Sequence, residues 1–140
     1  MRMKRFLIFS GVSVVVVVLL GGVVFFYMKK QTKSLSPEQS ITFASGDVDI
    51  EVFYNRPSKK GRLIFGGLVP YGKVWRTGAN EATSFKTNKP LMFGDKTLPA
   101  GKYSLWTIPT EKTWTIIFNS AYGQWGINFD GEANRNAAKD

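Results

Sequence analysis

Between Trp75 and Glu81 the string WRTGANE sets an indole, a guanidinium, a carboxamide and a carboxylate within seven residues. Together they offer an aromatic surface, a planar fork for an anion, an amide able to donate and accept, and a potential proton carrier. Two arrangements suit this spacing. In one, Arg76 and Glu81 pair across a turn at Gly78 and close the loop, while Asn80 takes a left-handed conformation and bonds nearby backbone. In the other, Trp75, Arg76, Asn80 and Glu81 form the floor of a ligand site presented on a loop by a rigid sheet. A desolvated Glu81 would also serve as a general acid or base, with Asp95 or another carboxylate as its partner, as hydrolysis of envelope or glycan material requires.

Other chemistry is removed by composition. The 140 residues include no histidine and no cysteine, which excludes Ser-His-Asp and Cys-His catalysis, histidine-zinc sites and disulfides. No nicotinamide, flavin, phosphate-loop or haem fingerprint is present, so no cofactor is expected. Asp47, Asp49 and Glu51 alternate along one strand, but three such carboxylates spread over about 13 Å, too far for joint chelation. They are expected to form a solvated face with nearby lysines, and no metal site is expected. A second cluster, RPSKKGR, carries Arg56, Lys59, Lys60 and Arg62. It reads either as a solvated turn or as a basic loop holding an anionic ligand or lipid headgroups.

The elements that must position these groups divide near residue 33. Residues 1–33 carry six basic residues and no acid, whereas residues 34–140 hold 13 basic and 10 acidic ones. Most of the formal +9 therefore flanks one apolar run, and nucleic acid is not an expected partner. That run, Phe6 to Met28, has 23 residues without a charge, enough for a helix of about 34 Å and so for a bilayer core. A basic head at residues 1–5 precedes it and no small-residue cleavage pattern follows it. The expectation is an uncleaved signal-anchor at residues 6–28 with the lipid bilayer as partner, a polar tether at 29–40, and the remainder outside the cytoplasm, periplasmic or at the cell surface.

Beyond residue 40 the pattern is that of strands. Val48, Ile50, Val52 and Tyr54 alternate with their neighbours in a period of two. Thr83–Thr87 and Leu91–Phe93 are short strands, with turns at Gly94-Asp95 and at Leu98–Gly101. KYSLWTI and TWTIIFN flank Pro109–Lys112 and predict a hairpin with Trp106 and Trp114 near its turn. No sustained helical stripe follows the anchor, so the fold class is all-β. An antiparallel sandwich or partly open barrel at 41–129 is expected, then a polar tail at 130–140 that is either disordered or cut short.

The residues Arg56-Pro57-Ser58, Gly61-Arg62, Ile64-Phe65-Gly66, Val69-Pro70-Tyr71-Gly72, Trp75 to Thr83, Leu98 to Leu105 and Gln124-Trp125-Gly126 resemble, in order, the secreted bacterial family called domain of unknown function 2911. The resemblance covers Ile41 to Phe129, and its most specific string is WRTGANEAT. It implies an export signal and further strand-like sequence after the QWG segment, but no activity. The reading at this point is a membrane-tethered binding or structural module with its site at the WRTGANE loop. A hydrolase using Glu81 is one alternative. The other is an accessory subunit of an envelope complex, its partner protein bound by strand addition to an uncovered sheet edge.

Overall fold

The computed structural model describes the backbone of residues 2–140 and the side chains from Gly11 onward. It divides into two units, residues 1–34 and 35–140. The first is α1, Arg2–Leu35, of which Gly11–Leu35 is long and apolar enough to cross a membrane. The side chains of the basic head at 1–5 lie outside the described residues. Helix continues past Met28 because nothing in KKQTKSL breaks it, and Thr32 and Ser34 return their hydroxyls to the carbonyls of Lys29 and Gln31. It stops ahead of Pro37, whose ring disfavours helix in the residue before it. Only Ser36 and Pro37 of the anticipated 29–40 tether therefore separate α1 from the first strand.

The second unit is built of antiparallel strands: β1 (Glu38–Ser45), β2 (Val48–Asn55), β3 (Ser84–Thr87), β4 (Leu91–Phe93), β5 (Lys96–Leu98), β6 (Gly101–Pro109) and β7 (Trp114–Asn119). Five of them form one sheet in the order β1-β2-β3-β6-β7, and β4 and β5 form a separate hairpin. Neither sheet closes on itself. β1 is the strand that alternation alone did not reveal. It pairs with β2 along its whole length, from Glu38 opposite Asn55 to Ser45 opposite Val48, around a two-residue turn opened by Gly46 at φ 60°.

The two sheets meet through aromatic rings. Phe85 on β3, Tyr103 on β6 and Phe93 on the β4–β5 hairpin surround Phe118 on β7, with centroids 5.0, 6.2 and 5.4 Å from it. On the other face Trp106 is fully buried, and its indole N–H donates to Ser104 Oγ at 2.8 Å. Ser104 in turn donates to the Ala121 carbonyl at 2.6 Å. The interior is rich in polar side chains for so small a domain, and Asn55, Ser104 and Asn119 are fully buried. Such groups stabilise only when each finds a partner, so the hydrogen-bond network carries much of the specification.

The polar tail is ordered rather than trailing. A short 3-10 turn, η1 (Ala137–Lys139), brings the Asn136 carbonyl and an Asp140 oxygen onto the amide of buried Asn119, at 2.7 and 2.6 Å. Arg135 pairs with Asp140 beside it. At the β1–β2 turn, the expected face of Asp47, Asp49 and Glu51 is met by polar partners. Lys89 reaches Asp47 at 2.8 Å, and Asn88 donates to the Asp49 carboxylate at 3.2 Å.

Candidate functional site

A connection of 28 residues, 56–83, joins β2 to its neighbour β3 and contains no named strand or helix. Loops of that length inside compact domains are uncommon and commonly functional. Its course is fixed by β6. Trp75 exchanges both backbone hydrogen bonds with Thr107, at 2.7 and 3.0 Å, and Leu105 N–H donates to Thr83 O at 2.7 Å. The two attachment points are two residues apart on β6 and eight apart on the connection. The surplus, Arg76 to Ala82, must loop out, and this loop is most of WRTGANE.

The loop is held on one side by the QWG segment. Ala82 N–H donates to Gln124 O and Gly126 N–H to Asn80 O, so that Glu81 and Trp125 form an antiparallel bridge. Thr77 and Asn80 both have positive φ, 55° and 57°. Asn80 accepts that conformation readily, but a β-branched Thr77 does so against its preference. Two bonds hold it there: its hydroxyl donates to Leu105 O at 2.8 Å, and its carbonyl accepts from Thr83 Oγ1 at 3.1 Å.

Inside the loop sits Asn55, the last residue of β2. Its backbone carbonyl accepts from Ala79 N–H, its Oδ1 accepts from Asn80 Nδ2 at 3.4 Å, and its Nδ2 donates to Glu81 Oε2 at 3.1 Å. Sequence reasoning had no signal for this residue, because its partners are 25 and 26 positions away. The hydrogen bond to Asn55 directs Glu81 inward, and Asn80 is buried beside it.

Arg76 turns the other way. Its Nε donates to the Gly78 carbonyl at 3.1 Å and its guanidinium lies 5.4 Å from the Trp75 ring centroid. Bonds to β6, to Asn55 and to the QWG segment fix the loop around Arg76. Partial burial pushes the Arg76 pKa below the ordinary arginine value. The cation is placed there by Gly126: a Cβ at that position would overlap Arg76 Cδ and stand 3.0 Å from Arg76 Cβ.

Trp75 and Arg76 form a wall shared by two concavities. The smaller, about 410 Å³, lies between this wall and residues 126–133 and includes Lys73 and Glu132. The larger, about 530 Å³, is a groove between the wall and the basic loop. Arg56, Lys59, Arg62 and Arg76 line it, with the rings of Phe65, Trp75 and Trp114, and no Asp or Glu takes part. Phe65 and Trp114 meet edge to face at 5.0 Å, giving the groove one aromatic flank. Thr107 also lines it, and among the described residues its hydroxyl is the buried side-chain polar atom with no hydrogen-bond partner.

The structure therefore sorts the anticipated residues. Trp75, Arg76, Arg56, Lys59 and Arg62 converge on one groove, whereas Asn80 and Glu81 line neither concavity and Lys60 stays in solvent at the tip of its turn. Among the described residues no group of three carboxylates could hold a metal ion.

What these features define is an antiparallel β domain that follows an apolar helix and folds its longest loop around a cationic, aromatic groove. The chain belongs to the family described as protein of unknown function (DUF2911), whose model matches residues 36–139. That match begins ahead of β1 and ends within η1, so it takes in every strand of the second unit. No curated protein and no solved structure matches the chain.

Proposed function

We propose that this is a membrane-tethered, extracytoplasmic binding module whose groove receives a ligand with an anionic group on an apolar or aromatic body. The observation that carries the reading is Arg76, a half-buried cation whose charge is partly desolvated in a groove of four cations and no carboxylate. Desolvating a charge is costly, and an incoming phosphate or carboxylate would offset that cost in bidentate form. Phe65, Trp75 and Trp114 would take the body of such a ligand. The location rests on α1 and on the basic residues Arg2, Lys4 and Arg5 ahead of the apolar run, the arrangement of a signal-anchor.

Glu81 as a general acid or base draws no support from its position, since its carboxylate is turned onto Asn55. Strand addition is favoured by one observation: β1 is an edge of the sheet and is exposed along all eight residues, Ile41 and Phe43 included. The groove remains the better-defined site. Calorimetric titration of the full chain in a neutral detergent, with 1-naphthyl phosphate and with uncharged 1-naphthol, tests it. The phosphate is expected to bind and the alcohol to bind at least about tenfold more weakly, with Arg76→Gln removing about tenfold of the phosphate affinity. Equal affinity for the two probes, or an unchanged affinity in Arg76→Gln, would refute the reading.

A further inference from the structure

Residues 52–80 carry six cations, Arg56, Lys59, Lys60, Arg62, Lys73 and Arg76, and not one acid. The acids of the unit lie on the first hairpin and from Glu81 onward, so its modest net charge hides a strong separation of sign. Along the first part of this stretch four large apolar side chains face outward, Leu63 at 73% and Phe65 at 48% exposure with Leu68 and Tyr71 exposed as well, while Val69 is buried beneath them. Positive φ at Lys60, Gly61 and Gly66, and the carbonyl contacts of Arg62 with Ser58 and Lys59, fold the segment into successive tight turns. A formed loop thus presents cations and apolar side chains together, an unfavourable surface to leave in water.

Connectivity adds a second constraint. Arg56 N–H donates to Pro37 O at 2.8 Å, and Pro37 stands two residues after the end of α1 at Leu35. The start of the cationic loop is therefore bonded to the chain just after α1, whose last seven residues, 29–35, follow the uncharged run, whatever angle the helix adopts.

We propose that residues 56–72 dock on the surface of a bilayer containing anionic phospholipid, with Lys59, Lys60 and Arg62 among the headgroups and Leu63 and Phe65 entering the interface. The proposal rests on the reading of α1 as a membrane span, and it shares Lys59, Arg62 and Phe65 with the rim of the groove. Each cation near an anionic leaflet is worth about fivefold in binding, so three of them provide about a hundredfold preference over a neutral surface. The tether raises the local concentration of lipid and lets so small a contact persist.

The absence of cysteine makes the test direct. A fluorophore is placed on Leu63→Cys, or as a control on Val16→Cys within α1, and the full chain is reconstituted in nanodiscs containing a lipid-borne quencher. With phosphatidylglycerol present, the Leu63 label is expected to be quenched at low salt. It should be released at about 1 M salt, where the screening length falls to about 3 Å. Combining Lys59→Gln, Lys60→Gln and Arg62→Gln should abolish the quenching. Equal quenching in pure phosphatidylcholine would overturn the proposal, as would no quenching at Leu63 while Val16 is quenched. Silence at both positions would overturn the membrane span and the docking together.

Discussion

Asn55→Ala is expected to lower the stability of the β domain by roughly 3–5 kcal/mol, the largest effect among single substitutions around the site. Asn55 is fully buried and its amide makes two side-chain bonds, one of them to a carboxylate. Truncation removes these bonds, takes one partner each from Asn80 and Glu81, and opens a cavity where a fully buried side chain stood, which costs more than the bonds themselves contribute. The Ala79 N–H bond to the Asn55 carbonyl survives, so the loop should loosen without detaching. Urea unfolding of the full chain in detergent measures the loss. A change below about 1 kcal/mol would show that the loop is not organised around this residue. Asn55→Asp should be as damaging, because it sets a second carboxylate against Glu81.

Gly126→Ala is the second. Its added methyl collides with the side chain of Arg76 and comes within 3.1 Å of the Asn80 carbonyl. The backbone on that side cannot retreat, since Gly126 N–H is bonded to the same carbonyl at 2.8 Å. Arg76 must therefore move. Overpacking of this kind costs typically about 1–3 kcal/mol, and here it should also weaken binding of naphthyl phosphate by about tenfold. In an Arg76→Ala background the same substitution should cost less by about 1 kcal/mol, a coupling that a double-mutant cycle reads directly. Additive effects would mean that Gly126 does not position Arg76.

Much of the architecture was legible because strand periodicity is a local signal. Val48 to Tyr54 alternate, Gly94-Asp95 turns the β4–β5 hairpin, and KYSLWTI with TWTIIFN became β6 and β7. Trp114 lies at the hairpin's turn end opposite Pro109, whereas Trp106 lies further along, opposite Ile117. β1 was missed because EQSITFAS opens with polar residues next to a proline, and its partner β2, not its own composition, makes it a strand. The tail read as either disordered or cut short for a similar reason, as its order comes from Asn119, seventeen residues before Asn136.

The site was legible in content but not in arrangement. WRTGANE stood out as a dense polar string, yet nothing local shows that its first two residues face a groove while Asn80 and Glu81 face Asn55. That division depends on contacts to β6, to Asn55 and to Gly126, each far away in sequence. The basic loop read first as a solvated turn, and its four cations are indeed exposed; that Phe65 and Trp114, forty-nine positions apart, meet in the groove beside it had no local signal.

The central claim is that the loop separates a binding half from a holding half, and Glu81→Gln tests it most directly. Measured together, its melting temperature should fall, by an amount equivalent to about 1 kcal/mol for the lost charge on the Asn55 bond. Its affinity for naphthyl phosphate should equal or slightly exceed that of the unsubstituted chain. An unchanged melting temperature with weakened binding would contradict the account and return Glu81 to the ligand site.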